Sequence, residues 1–311
     1  MSENEVYHTS VMLEECMNAL EINPDGSYVD VTFGGGGHSH AILQRLSPKG
    51  RLYSFDQDAD AIKNIKSDDR LIFTAGNFRY LDRFMDYYDR LGQIDGILAD
   101  LGVSGHHFDD ASRGFSFRSE DPLVDMRMNA RGGNSARDIL NDYEEEALAH
   151  VFYTYGELKN SRKLAAAIVR RRTSQSLNTV GDLIAAVKPE INPREEKKQL
   201  TCIFQALRIE VNDELSALEE MLRATTDVLK PGGLLAVMTY HSLEDRIVKQ
   251  FLKSSPETDR PDIYGKAPSL WQPVTRKPVV PSTEEIARNP RSRSAKLRVA
   301  RWTGTAKNDR I

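Results

Sequence analysis

Tyr28-Val-Asp-Val-Thr-Phe-Gly-Gly-Gly-Gly-His38 decides the fold: a short apolar strand pattern runs directly into four glycines. Successive residues without Cβ let the backbone turn sharply and lie close against a flat ligand. The following residues, His38–Leu46, carry a helical pattern, so the glycines stand where a strand hands over to a helix N-terminus. Open α/β sheets bind nucleotide-like ligands at that junction. The next apolar run, Arg51-Leu-Tyr-Ser-Phe-Asp56, ends on an acidic residue about 20 positions after the first glycine, the spacing of a ribose-binding carboxylate.

This pairing suits either a dinucleotide or S-adenosylmethionine. In the dinucleotide pattern the third glycine would fall on Ser39. A cationic sulfonium without phosphates asks only for glycines with polar donors, so the pattern favours the methyl donor. No Gly-Lys-Ser/Thr follows the glycines, which excludes a Walker-type phosphate loop.

Alternating strand and helix patterns continue on both sides of this junction. A helix over Ser10–Leu20 precedes strand Ser27–Phe33; strand Arg51–Phe55, helix Ala59–Ile65 and strand Leu71–Ala75 follow. Helix Tyr80–Arg90 and strand Gly96–Asp100 complete the first half. Between 106 and 212 the strand signal stops, and segments 134–154, 160–175, 178–188 and 195–211 read as helices. Helix Asp213–Leu229, turn Lys230-Pro-Gly-Gly233, strand Leu234–Tyr240 and helix Leu243–Lys253 resume the α/β pattern. Residues 254–290 read as loop and Ala295–Trp302 as a last strand. The expected architecture is a Rossmann-like α/β sheet, with residues 1–105 and 213–311 forming a discontinuous core. Residues 106–212 form an inserted all-helical domain that follows the fourth strand.

At 311 residues and 40% apolar content the chain can bury a large core and a smaller one. Its longest apolar run, around Leu234–Met238, is too short to span a membrane, and the acidic N-terminus has no apolar leader. Cys16 and Cys202 lack a CxxC partner and read as buried thiols in a reducing cytoplasm. Histidines and carboxylates show no zinc-ligand spacing, so no metal site is expected. Net charge is −4, but six Lys/Arg and no acid fall in 159–175, and ten Lys/Arg against three acids in 271–311. Basic clusters on an otherwise acidic chain suit phosphate contacts.

Asp100, in Asp100-Leu-Gly-Val-Ser104, closes the fourth strand and is the leading candidate to face donor and acceptor. Phe78, in Gly76-Asn-Phe-Arg79, could lie against an adenine. Ser242 with Asp245 matches a capping box, whereas His241 and Tyr240 beside them are less easily read as caps. Gly114-Phe-Ser-Phe117 and Asp125-Met-Arg-Met128 bracket the start of the insert, and paired aromatics can stack an unstacked base.

Together these motifs make the chain resemble the RsmH (MraW) family, S-adenosylmethionine-dependent methyltransferases of small-subunit ribosomal RNA that modify a decoding-region cytidine at its 4-amino group. The resemblance is carried by His8-Thr-Ser-Val11, Thr32-Phe-Gly-Gly-Gly-Gly-His38, Asp56-Gln-Asp58, Asp95-Gly-Ile-Leu-Ala-Asp-Leu-Gly-Val-Ser104 and Arg113-Gly-Phe-Ser-Phe117. Asp125-Met-Arg-Met128, Phe204-Gln-Ala-Leu-Arg208, Lys230-Pro-Gly-Gly233, His241-Ser-Leu-Glu-Asp-Arg246 and Asn289-Pro-Arg-Ser-Arg-Ser294 extend it in family order. It implies a class I methyltransferase sheet and donor contacts at Gly36, Gly37, His38, Asp56, Phe78, Asp100 and His107. The expected substrate is small-subunit rRNA within the assembled or nearly assembled subunit, read through the inserted domain.

Two departures stand out: Ser104-Gly-His-His107 where the family reads Ser-Ser-Pro-Gln, and Asp121-Pro-Leu-Val-Asp125, one residue longer than Pro-Leu-Asp. Asp100 is expected to orient donor and target amine, with Asp125 and His241 as further candidates to grip the base. Methylation at carbon 5 needs a cysteine nucleophile in a crevice loop, and neither cysteine lies in one. A nicotinamide-dependent oxidoreductase using the same first half, and a non-catalytic RNA-binding assembly factor using the basic segments, are the alternative readings.

Overall fold

The structure is a computed structural model that describes residues 10–102, 113–117, 122–253 and 269–304. The chain divides into two compact units, residues 1–102 with 216–311 and residues 103–215. The chain leaves the first unit just after its fourth strand.

The first unit is built on a seven-stranded sheet of order β3-β2-β1-β4-β5-β7-β6. Its strands are β1 Ser27–Asp30, β2 Arg51–Asp56, β3 Leu71–Ala75, β4 Ile94–Asp100, β5 Leu229–Thr239, β6 Trp271–Pro273 and β7 Lys296–Trp302. The first five are parallel, while β7 pairs antiparallel with both β5 and β6. Strand order reverses between β1 and β4, opening a crevice at their carboxyl ends.

Alternation along the strands sorts side chains to the two faces. Val29, Phe55, Ile97 and Val237 share one buried cluster with Leu81 and Met221; Tyr28, Leu52, Leu98 and Met238 share the other with Met17 and Ile42. The helices supplying these partners are α1 Leu13–Leu20, α2 Gly37–Arg45, α3 Leu81–Tyr87 and, further on, α9 Glu214–Val228. Each such fully buried aliphatic side chain is worth about 1.5–3 kcal/mol, so parallel strands covered on both faces read as near-continuous apolar runs.

The second unit contains α4 Ala136–Asp142, α5 Glu145–Thr154, α6 Ser161–Arg172, α7 Val180–Val187 and α8 Glu196–Asn212 around a core including Leu140, Phe152, Ile168, Leu183 and Leu207. Helix α6 buries Leu164, Ala165 and Ile168 and exposes Arg162, Lys163, Arg170 and Arg171. Capping boxes Ser135–Asp138 and Thr179–Asp182 start α4 and α7.

Several local expectations are corrected. The segment 134–154 is two helices, broken where Tyr143 turns extended. Residues 59–64 form a 3-10 helix, and Tyr80 closes a 3-10 turn before α3. The segment expected to be loop holds β6 and the short helix α11, Thr283–Arg288. The capping box of α10, Ser242–Phe251, is not Ser242 with Asp245: His241 is the extended N-cap, and its side chain pairs with Glu244. This shift of one residue turns Asp245 toward β7, where Arg298 Nε donates to it at 2.7 Å and Lys296 lies at 3.5 Å.

Candidate functional site

Loops leave the carboxyl ends of β1, β2, β3 and β5 within the first unit, and after β4 the chain passes at Val103 into the second. Asp30, fully buried at the end of β1, anchors the first of them. Its carboxylate accepts the Thr32 N–H at 3.1 Å and the Ser39 hydroxyl at 2.6 Å, and Ser39 Oγ lies 2.8 Å from Ser54 Oγ. The Thr32 hydroxyl in turn accepts the Asp100 backbone N–H at 2.7 Å, tying the ends of β1 and β4. Burial pushes the Asp30 carboxyl upward, partly offset by the Ser39 hydrogen bond. Nothing in the motif reading singled out Asp30 or its network; an acid inside an apolar strand was the available signal.

The glycine run adopts two left-handed conformations, φ +51° at Gly34 and +78° at Gly36. A Cβ at Gly36 would strike the rings of His40 and Phe33 at 2.9 Å, and one at Gly37 would overlap the Ser10 hydroxyl. At Gly34 and Gly35 a Cβ would meet no atom within 4 Å. These two glycines therefore border open space, a cradle that side chains would fill.

Asp56 ends β2 directly beside this cradle. Its Oδ2 accepts the Gly34 N–H at 2.7 Å and its Oδ1 the Asp58 N–H at 2.8 Å. After β3, Asn77 donates to Gln57 at 2.8 Å and caps the 3-10 turn that carries half-buried Phe78.

Asp100 ends β4 with 21% of its side chain accessible. Its Oδ2 lies 3.8 Å from His38 Nδ1, and His38 Nε2 is 3.1 Å from the Val11 carbonyl, to which it donates. Tyr240, after β5, directs its phenol at the same carboxylate, and its ring fills the space a Gly102 Cβ would take, 2.7 Å away. Burial raises the Asp100 carboxyl, while His38 and Tyr240 act in the opposite direction. The Tyr240 phenol is pushed far upward by burial and by Asp100, so it stays protonated.

Gly36, Gly37, His38, Asp56, Phe78 and Asp100 thus all belong to the loops at the carboxyl end of the sheet. His241 lies in the same unit but serves as a helix cap, its Nε2 3.1 Å from Glu244 Oε1. Asp125 lies in the second unit and holds Arg127 bidentately at 2.9 and 2.8 Å. Burial would raise its carboxyl, but the Arg127 hydrogen bonds outweigh that and hold it low. Phe115 is buried in the second unit's core, and Phe117 packs edge-to-face on Phe204 at 5.4 Å. His107 lies outside the described residues.

A cationic ligand suits the cradle. The Asp56 carboxylate flanks it through the Gly34 N–H, where a pyrophosphate would meet an acceptor and no cation. S-adenosylmethionine, with its sulfonium, ribose and adenine, fits that donor set.

The sequence matches the model of the MraW methylase family over residues 5–303. A Porphyromonas gingivalis protein named Ribosomal RNA small subunit methyltransferase H is 62% identical over 301 residues, 95% of this chain and 96% of its own length. A Parabacteroides distasonis protein of the same name is 58% identical over 296 residues, 94% and 97% of the two chains. Among solved structures, TrmN from Thermus thermophilus aligns with 93% of this chain and 48% of its own, at 11% identity and a TM-score of 0.42. Among the described residues, no helix is long and apolar enough to cross a membrane.

Proposed function

The chain belongs to the MraW methylase family, and from that membership we propose how its residues act. The enzyme transfers a methyl group from S-adenosylmethionine to the exocyclic 4-amino group of a cytidine in small-subunit ribosomal RNA. The observation that carries the site assignment is the open cradle at Gly34 and Gly35, flanked by Asp56.

When bound, the donor supplies an electrophilic methyl on a positively charged sulfur. Asp56 holds the ribose hydroxyls while keeping the Gly34 N–H, so one carboxylate sets both the loop and the ligand. Phe78 lies against the adenine. Asp100 accepts hydrogen bonds from donor and target at the floor of the crevice, held by His38 and Tyr240. The target amine is a weak nucleophile because its lone pair is delocalised into the ring. Positioning is therefore the main lever, worth up to about 7–11 kcal/mol of barrier. Nitrogen gains a carbon bond as the carbon–sulfur bond breaks, and the cationic amine then releases a proton. Asp100 favours the pyramidal nitrogen by accepting an N–H from it.

Residues 106–212 act as the substrate-recognition domain, with the exposed Arg162, Lys163, Arg170 and Arg171 of α6 contacting phosphates. The working location is the cytoplasm, and the substrate is the assembled or nearly assembled small subunit.

Labelled-methyl transfer to small subunits lacking the modification, followed by nucleoside analysis, tests this reading. A methylated 4-amino cytidine is expected. Label on another atom or nucleoside, or donor binding without transfer to any small-subunit particle, would overturn it.

A further inference from the structure

The motif Asn289-Pro-Arg-Ser-Arg-Ser294 takes no part in the chemistry above. It folds as a 3-10 turn, Pro290–Ser294, between α11 and β7. Ser292 pins the turn: it is fully buried, and its hydroxyl donates to the Asn289 carbonyl at 2.7 Å. With Ser292 facing inward, Arg291 and Arg293 on either side face solvent, as does Arg288 at the end of α11. No acidic residue occurs from Ile286 to Arg298.

Three other cations near the turn are engaged within the protein. Arg298 and Lys296 pair with Asp245, and Arg301 with Glu21 at 2.9 Å. Those pairs serve β7. Arg288 and Arg293 are exposed, and the fold holds them at a particular place. Glu285, one helical turn before Arg288, accepts the Met12 N–H at 2.9 Å. The two residues before Met12 touch the glycine loop: the Val11 carbonyl accepts from His38, and Ser10 abuts Gly37. One short segment, residues 10–12, therefore touches α11, the helix that ends on Arg288, on one side and the glycine loop on the other.

We propose that Arg288 and Arg293, with Arg291 exposed between them, form a phosphate-binding surface for the RNA strand flanking the target nucleotide. It rests on the reading that the substrate is RNA. Guanidinium groups grip phosphate oxygens bidentately, and such contacts fix the register of a strand without reading its bases. Rigidity matters here, because a turn pinned by a buried serine loses little freedom on binding. A positive island on a chain of net charge −4 also steers a polyanion to the crevice mouth.

The test is the double variant R288E/R293E beside R288K/R293K, each as the full-length enzyme. Binding of unmodified small subunits is measured across a salt series, with methyl transfer and donor affinity followed in parallel. Two lost phosphate contacts should flatten the log–log salt slope by about 1.4–1.8. KM for the RNA should rise at least tenfold, while donor affinity and melting temperature hold. The lysine pair should restore most of the slope. An unchanged slope and KM would overturn the proposal, as would a fall in donor affinity or melting temperature, which would mark a structural role. Failure of the unaltered enzyme to bind or methylate small subunits would instead refute the substrate reading itself.

Discussion

Asp100 Oδ2 lies 3.8 Å from His38 Nδ1, and the opposite nitrogen of the same ring is fixed on the Val11 carbonyl at 3.1 Å. The carbonyl can only accept, so Nε2 carries a proton and Nδ1 faces the carboxylate. One backbone carbonyl thereby sets the direction of the side chain that stands against Asp100. His38 is 5% exposed and cannot turn away without breaking that bond.

Two substitutions separate the halves of this arrangement. The amide nitrogen of asparagine falls near Nδ1, and that of glutamine near Nε2. His38→Gln should keep the Val11 bond yet lose the group facing Asp100, with turnover falling roughly 10–100-fold, as expected for an ångström-scale misplacement. His38→Asn should retain more turnover. Single-turnover kinetics at saturating donor decide the matter, and equal losses would reduce His38 to a packing role.

The burial of Asp100 works against its ionised form. Burial raises its carboxyl, with His38 and Tyr240 countering. Relative to an ordinary carboxyl near pH 3.9, the raised group favours folding fully below that pH. The advantage is lost as pH rises through the folded value. Asp100→Asn should therefore match or exceed the wild-type melting temperature at pH 7 while losing most turnover and weakening donor binding. Wild-type turnover should fall as pH drops through a value above 3.9. Full turnover in the variant would remove Asp100 from the mechanism.

The Gly34–Asp56 bond should appear in donor affinity. Asp56→Ala strands a loop N–H and deletes the acceptor for the ribose, so donor binding should weaken by about 1.5–3 kcal/mol, roughly 10–150-fold. Gly36→Ala puts an L-residue at φ +78° and a methyl against two rings, costing about 1–2 kcal/mol in backbone strain alone. Calorimetric titration with the donor and thermal melts of both variants check this. Unaltered affinity in Asp56→Ala would place the ribose elsewhere.

Asp245 reports on the sheet's far side. Burial would raise its carboxyl, but hydrogen bonding to Arg298 and the charges of Arg298 and Lys296 prevail and hold it low. Its contribution is thus present above the ordinary carboxyl value and lost as pH falls through the lower folded one. Asp245→Ala should cost about 1–3 kcal/mol at pH 7, shrinking below about pH 4. Denaturant melts at pH 7 and pH 3.5 measure it; a pH-independent deficit would mean that only packing was lost.

Much of the crevice was legible from short-range pattern. Gly34 to Gly37 need backbone freedom wherever they occur, and the strand ends at Asp56 and Asp100 follow from apolar runs that stop at an acid. The cap of α10 was misread by one residue, since Ser242 and Asp245 satisfy the same spacing rule as His241 and Glu244. Which pair caps depends on where the backbone turns helical. The loop expected over 254–290 hid β6 and α11 because three residues and six residues are too short to show a period.

The sequence by itself determined the α/β order, the glycine turn and the acids that end β2 and β4, because those features are encoded by neighbours along the chain. Only the tertiary structure decided that Asp30, Thr32 and Asp100 form one bonded set across β1 and β4. Only it brought Glu285 to Met12 across 273 positions of sequence. Such contacts depend on strand order and on burial, which fix partners by space, and no local periodicity carries that information.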